Sequence, residues 1–439
     1  MNPKAIRVLI LAAVAYTAVH IVASGIVFPL RTPNIGQVVE ELQPITRQML
    51  TGKATVDHGR QYGPVFLLLL DPVYRRTLDR PELLAWYCYA LDLLAIGVGF
   101  FATRSAIRTW LQSRGQAVPK YLTLALAVLW GNFGPLYGVL AVKNVELWEL
   151  ALIMVACAAL MKGWRWTAAW AMAAAALTKM LPFVFLPYLF VRDRRVFAYT
   201  LVGMLSIVGV SQLVYGDDMG WRYVPNMVRA AAGSAGYGNA IGMTWHENVA
   251  LPGLVNKAFG YLETPDPRIL DQKYPRGFYV VVPESVKGLA SALGLLLQVA
   301  GLGWVVWTLW RRRALREPSR TFWEWALVAT MMLVLAPQIS HDYMVLALGA
   351  FSFVLAACLV ERSATNWTVF GLAVLLVANI VPRGLFAQLM LIDPLLAWTG
   401  YHHLTRAEAY QYFGFPLLGL LVLVVAWHRL SPTVDRVDG

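Results

Sequence analysis

Two adjacent glutamates, Glu40 and Glu41, stand in the one long polar run near the start of the chain, NIGQVVEELQPITRQMLTGKATVDHGRQYGP, residues 34–64. Neighbouring carboxylates raise one another's pKa, so one of them can take a proton near neutral pH as a general base. A solvated surface pair is the plainer alternative. Asp57 and His58 follow, either an acid/base pair or a polar turn, and then Arg60 and Tyr62 ahead of a Gly-Pro turn. Far along the chain, Lys179 interrupts two apolar runs in ALTKMLPFVFLPYLFV. A charge at such depth is by default a functional hypothesis. Its ammonium can hold a lipid phosphate where Pro182 opens the backbone, or simply snorkel into headgroups.

Three further clusters carry usable groups. In APQISHDYMVLAL, His341 and Asp342 end an apolar run; the histidine can donate to a phosphate oxygen or shuttle a proton, and a structural cap explains it equally well. In VKNVELWEL, Lys143, Asn144, Glu146 and Glu149 occur together, the two glutamates three apart and so on one helical face. They form an ion-pair network or a sugar-binding edge. In GMTWHENVALPGLVNKAFG, Trp245, His246, Glu247, Asn248, Asn256 and Lys257 suit sugar recognition, although Trp is also an ordinary interface anchor. There is no HExxH, no CxxC and no DxD-type run (Asp217-Asp218 is the nearest approach), and no P-loop or GxGxxG. No metal or cofactor is expected, and kinase and Rossmann chemistry are excluded.

The elements that position these groups are membrane helices. The chain is 58% hydrophobic and 14% charged over 439 residues, where soluble domains carry about 25% charged residues. Apolar runs recur from end to end, which predicts an all-α polytopic membrane protein forming a single domain, residues 1–439. β-barrel strands would read as short alternating segments instead. The three cysteines, Cys88, Cys157 and Cys358, all lie in apolar runs and read as packing residues.

The net charge of +12 does not point to nucleic acid. The arginines cluster in short loops, at Arg104, Arg108 and Arg114, at Arg192, Arg194 and Arg195, and at Arg311, Arg312, Arg313, Arg316 and Arg320, which is the positive-inside pattern. Threading the chain on that pattern gives about twelve spans with both termini cytoplasmic. The spans are Val8–Leu30, Leu83–Thr103, Tyr121–Val142, Leu150–Met161, a short pair Thr167–Thr178 and Leu181–Val191 around Lys179, Val196–Tyr215, Val286–Leu309, Trp323–Ala336, Met344–Val360, Val369–Ile380 and Pro416–Trp427. Residues 31–82 become the first outer loop and 216–283 the large outer loop. Val65–Tyr74 is too short to cross and is placed in the outer interface. Pro44 and Gly52 bracket a short interfacial helix. Chemistry gathers on the outer side, out of reach of soluble nucleotide donors.

In this order the features resemble the GT-C superfamily of integral-membrane glycosyltransferases, and within it the family 87 enzymes that use polyprenyl-phosphate sugars. The resemblance rests on the acidic first loop with MLTGK and QYGPVFLLLLDP, on the paired runs from KNVELWEL to LTKMLPFVFLPYLFVRDRRV, on WHENVALPGLVNKAF, and on APQISHDYMVLAL. Three positions depart from the family pattern: Glu40 and Glu41 stand near its usual first-loop aspartate, Lys143-Asn144 where many members have Gly-Gln, and Glu247-Asn248 where Asn-Gln is usual.

The resemblance implies a GT-C-like bundle and a metal-independent, inverting transfer of mannose or arabinofuranose at the outer leaflet. The donor is a polyprenyl-phosphate sugar, the acceptor a glycolipid or cell-envelope polysaccharide, and membrane lipids the surroundings. Glu41 or Glu40 becomes the base, with Asp57 as a third candidate. Lys179, His341 and Arg60 neutralise the donor phosphate. Tyr62, Lys143, Asn144, Glu146, His246, Glu247, Asn248 and Asp342 contact substrate. The alternative is a polytopic transporter or lipid flippase, which requires interrupted helices in corresponding halves and polar groups at the midplane. Asp92 is the clearest acidic residue inside a span, and the one-sided placement of the rest favours an enzyme. A catalytically silent scaffold is the third possibility.

Overall fold

The computed structural model describes residues 3–27, 46, 62–217, 219–225, 243–245, 248–263, 279–315, 317–336, 339–378, 392–399, 404 and 406–431. Glu40, Glu41, Asp57, His58, Arg60, His246 and Glu247 lie outside the described residues, as does the expected interfacial helix apart from Thr46.

Four stretches among the described residues are long and apolar enough to cross a bilayer: Pro81–Ser113, Arg194–Tyr215, Glu284–Arg311 and His341–Glu361. A bent pair, Leu122–Gly131 and Gly134–Val142, makes a fifth, with 53° between its halves. Other apolar runs form shorter helices, such as Pro64–Tyr74 and Phe415–Leu430. The sequence reading of about twelve crossings therefore meets full-length helices in only some of its spans. The break in the bent pair lies in GNFGP, where Pro135 has no N–H to continue the ladder. Asn132 occupies the gap, its Nδ2 donating to Val128 O at 2.8 Å and to Thr17 Oγ1 at 2.7 Å.

We number the main helices in chain order: α1 Pro3–His20, α2 Pro64–Tyr74, α3 Pro81–Ser113, α4 Leu122–Gly131, α5 Gly134–Val142, α6 Glu146–Met161, α7 Arg165–Ala176, α8 Phe185–Arg192, α9 Arg194–Tyr215, α10 Leu251–Phe259, α11 Glu284–Arg311, α12 Ser319–Leu335, α13 Leu348–Glu361, α14 Ala364–Ala378, α15 Ile392–Thr399, α16 Arg406–Tyr412 and α17 Phe415–Leu430. Helix α3 begins at a proline with Glu82 in its first turn, both favoured at a helix start. It continues ten residues beyond the expected end of its span, so Arg104 and Arg108 lie on helix and not in a loop. Ala106, Ile107, Trp110 and Leu111 keep one face of this extension buried.

The centre is formed by α12 and α13, buried almost all round. There Phe322 stacks between Trp110 at 4.1 Å and Phe353 at 4.2 Å. Helices α9 and α11 instead expose Leu205, Leu213, Leu295, Leu296, Val299 and Leu302, an apolar outer face suited to lipid. Against α9, α7 (RWTAAWAMAAAA) offers small residues, and a Cβ on Gly203 of α9 would meet the Ala173 methyl at 3.0 Å. That is the close backbone approach small residues permit in membranes.

The all-α expectation misses one feature. Three short strands, β1 Met243–Trp245, β2 Tyr261–Glu263 and β3 Tyr279–Val281, form an antiparallel sheet in the order β1-β3-β2. The run Tyr279-Val280-Val281-Val282 is rich in strand-favouring residues, and Val280 is fully buried.

Candidate functional site

Lys179 is placed by the turn that follows the alanine-rich α7. Tyr62 and Lys179 form an isolated antiparallel bridge. Gly63 N–H donates to Thr178 O at 2.8 Å and Val65 N–H to Leu177 O at 3.0 Å. Glycine is needed at position 63, because a Cβ there would overlap the Leu177 carbonyl, lying 2.6 Å from its carbon and 2.9 Å from the Tyr223 hydroxyl. A 3₁₀ turn, Leu181–Val184, then leads into α8.

The ammonium of Lys179 lies 2.6 Å from Glu146 Oε1, with the two side chains 4% and 0% exposed. It also faces the rings of Tyr343 at 4.5 Å and Tyr62 at 4.9 Å. Glu146 opens α6, where the positive end of the helix dipole favours a carboxylate. Tyr62 donates its hydroxyl to Asn144 Oδ1 at 2.8 Å, and Val145 N–H reaches the same oxygen at 3.0 Å. Lys143 caps α5 in the left-handed region, φ 59°. Its Nζ donates to Leu140 O at 2.6 Å and lies 5.2 Å from the Tyr89 ring.

Glu149 is as buried as Glu146. Among the described residues no donor reaches either oxygen of Glu149 or the second oxygen of Glu146. The cluster thus sets one ammonium beside two carboxyl groups and leaves three buried carboxyl oxygens without a donor among the described residues. Buried acceptors of this kind are costly unless hydrogen-bonded, and hydroxyl donors, such as those of a sugar, satisfy them. Sequence spacing put Glu149 on the same helical face as Glu146 but did not mark it for the site. Tyr343 was likewise missed, its only signal being its place in SHDY.

Asp92, the in-span acid of the sequence reading, sits on α3 and accepts from Trp148 Nε1 at 2.9 Å. Trp148 is two residues beyond Glu146 on α6. Aromatic contacts connect Tyr62 to Phe66 at 4.5 Å and Phe66 to Trp148 at 6.4 Å. The first loop's end, the acidic start of α6 and Asp92 are therefore packed in one sequence of contacts.

The remaining expected residues fall around this cluster. Asn248 Oδ1 accepts from Ala250 N–H at 3.0 Å and Ile339 N–H at 3.2 Å, while Val249 N–H donates to Ile339 O at 2.9 Å. This pins the segment leading to the 3₁₀ helix His341–Ala347. Within that helix His341 Nε2 lies 3.2 Å from Val377 O, and its ring meets Tyr410 edge-on at 5.7 Å. Asp342 packs so closely on α5 that a Cβ on Gly138 would overlap its carboxylate. Tyr343, the next residue, turns its ring to Lys179. The structure brings Tyr62, Asn144, Glu146 and Lys179 into direct contact, and joins Asn248, His341 and Asp342 to them through the backbone.

Comparison with known protein families matches residues 61–337 to the model described as glycosyltransferase family 87. The chain belongs to glycosyltransferase family 87. The matched region holds the family 87 chain's Tyr62, Lys143, Asn144, Glu146, Glu149 and Lys179; Glu40, Glu41, His341 and Asp342 lie outside it. Membership makes the protein a membrane glycosyltransferase, and the transport alternative is not carried forward. Among solved structures, the crystal structure of ArnT from Cupriavidus metallidurans in the apo state is similar over 89% of this chain and 72% of that chain, at 17% identity and a TM-score of 0.36. No curated protein matches.

Proposed function

We propose that this family 87 enzyme moves a sugar, mannose or arabinofuranose, from a polyprenyl phosphate to a glycolipid or cell-envelope glycan. The reaction takes place at the outer face of the membrane, in a single multi-pass domain with both termini cytoplasmic. The observation that carries the reading is the buried Lys179–Glu146 pair with the open carboxylate of Glu149 beside it. Sugar hydroxyls donate to the open oxygens, while Asn144, Lys143 and the Tyr62 hydroxyl contact the substrate. An ammonium has three donors. Glu146 occupies one, and a phosphate oxygen takes another while the pair holds the charge in place. His341 and Arg60 share the phosphate, and His246, Glu247, Asn248 and Asp342 shape the acceptor side.

In the reaction the acceptor hydroxyl oxygen attacks the anomeric carbon. Its proton passes to Glu41 or Glu40, with Asp57 the third candidate. The bond from the anomeric carbon to the phosphate oxygen breaks, and its electron pair leaves on polyprenyl phosphate with inversion. Charge stabilisation of that leaving group by Lys179 stands in for a general acid.

The test uses purified protein in nanodiscs with a panel of radiolabelled polyprenyl-phosphate sugars and glycolipid acceptors. Glu40→Gln, Glu41→Gln and Asp57→Asn are run in parallel. Label moving to an acceptor, and lost in one folded acid variant, is expected. Transfer surviving all three substitutions would remove the first loop from the chemistry, and no donor consumed across the panel would overturn the reading.

A further inference from the structure

The end of the bundle remote from Lys179 carries three consecutive arginines, and they are not alike. Arg311 lies 4.8 Å over Trp307, Arg312 4.2 Å over Trp427 and Arg313 4.6 Å over Trp310. Trp307 and Trp310 are exposed at 50% and 58%, as expected of an interface belt, and Arg311 and Arg313 are exposed with them. Arg312 is 5% exposed, and among the described residues its Nη1 has no hydrogen-bond partner.

Two hydroxyls nearby are in the same condition: Thr308 Oγ1 and Ser431 Oγ are buried without partners among the described residues. Thr308 is one helical turn before Arg312 and shares its face. Ser431 caps α17, its N–H donating at 2.8 Å to the carbonyl of Trp427, the residue whose ring Arg312 covers. Among the described residues the acidic group that acts on Arg312 is Glu324, and it is already engaged. It binds Arg320 at 2.7 Å, Arg192 at 3.1 Å and the Tyr188 hydroxyl at 3.1 Å. A buried guanidinium without its own counter-ion is costly, and its planar fork matches phosphate oxygens.

We propose that Arg312, Thr308 and Ser431 form a phosphate-binding site between the ends of α11 and α17. It is separate from the donor phosphate site, since α12 runs its full 17 residues between this end at Ser319 and the other at Leu335. That length is about 25 Å. The phosphate comes from an anionic phospholipid headgroup seated beside the tryptophan belt, or from free phosphate.

The test uses full-length protein, stripped of lipid in detergent, with its unfolding midpoint titrated against dioleoylphosphatidylglycerol and, separately, inorganic phosphate at constant ionic strength. A saturable rise in midpoint is expected; a rise with the phospholipid alone assigns the lipid source, and a rise with both assigns free phosphate as a ligand. Arg312→Gln is expected to weaken the apparent Kd at least tenfold, and Thr308→Val with Ser431→Ala severalfold with the ligand-free midpoint near wild type. Arg311→Gln is expected to leave it within twofold. No saturable shift with either probe would overturn the proposal, as would wild-type affinity in the Thr308→Val, Ser431→Ala variant. The tail beyond Ser431 carries Asp435 and Asp438. If Asp435→Asn with Asp438→Asn lowers the ligand-free midpoint as far as Arg312→Gln does, those carboxylates are the counter-ion and the phosphate site is wrong.

Discussion

Glu146→Gln removes the closest counter-charge of an ammonium that is 4% exposed. At the observed 2.6 Å and an effective dielectric near 20, the attraction lost is about 6 kcal/mol. Both charges are desolvated in the pair, and removing one partner of a buried pair costs about 3–5 kcal/mol in practice. Glu149, three residues on, remains as a second carboxyl group able to ionise beside the ammonium, so the lower end of that range, about 3 kcal/mol, is expected. Lys179→Met does the opposite. It leaves the buried Glu146 carboxylate without its cation, next to the Glu149 carboxyl, and should cost about 5 kcal/mol. The triple change Glu146→Gln, Glu149→Gln and Lys179→Met removes the ionisable groups of these three residues together and should be less destabilised than Lys179→Met alone. Thermal unfolding in detergent, followed with a thiol-reactive dye, reads this directly, because Cys88, Cys157 and Cys358 are free and buried. The order from most to least stable should be wild type, Glu146→Gln, Lys179→Met. A Lys179→Met protein as stable as Glu146→Gln, or a triple variant below both, would show that the Lys179 ammonium is not what offsets the buried carboxyl groups.

Gly63→Ala should cost about 2–3 kcal/mol through overlap with the Leu177 carbonyl, seen as a lower unfolding midpoint. Gly97→Ala is the control, since a Cβ there meets nothing within 4 Å. Trp148→Phe deprives Asp92 of its hydrogen bond and should cost about 2 kcal/mol in the same assay. Asp193→Ala removes the cap of α9, where one carboxylate oxygen accepts from Arg195 and Val196 N–H, at a cost of about 1 kcal/mol. Partial burial pushes the Asp193 carboxyl up, but hydrogen bonds from Val196 and Arg165 outweigh it and hold its pKa below the ordinary value. The stabilisation is then full above the ordinary carboxylate range and lost as pH falls through the lowered folded value. The gap between wild type and Asp193→Ala should therefore close on acidification below about pH 4, and a constant gap would contradict it.

Much of the fold was legible because membrane helices announce themselves by composition. Helix α9, expected over Val196–Tyr215, is found over Arg194–Tyr215, and α11, expected over Val286–Leu309, over Glu284–Arg311. The paired runs flanking Lys179 are also where they were expected. The bend at GNFGP was passed over because residues on both sides are uniformly apolar, and hydropathy does not sense a missing N–H. The small sheet was invisible because strands of three residues carry no periodicity. For the site, Lys179 was legible as a charge between apolar runs and Glu146 as a member of the polar cluster Lys143, Asn144, Glu146 and Glu149. Their pairing was not, nor was that of Tyr62 with Asn144 or of Trp148 with Asp92, which bring together residues 33, 82 and 56 apart. Glu149 carried the right spacing, yet only its burial without a donor marks it.

On the proposed function, the Lys179 end of the bundle performs glycosyl transfer from a polyprenyl phosphate. The most direct measurement is single-turnover consumption of that donor by the wild-type protein in nanodiscs, with and without acceptor, beside Lys179→Met at matched folded concentration. Free polyprenyl phosphate and glycosylated acceptor are expected to appear together, only when acceptor is present, and at least a hundredfold more slowly in the variant. Equal rates in the two proteins, or a donor that remains chemically intact throughout, would contradict it.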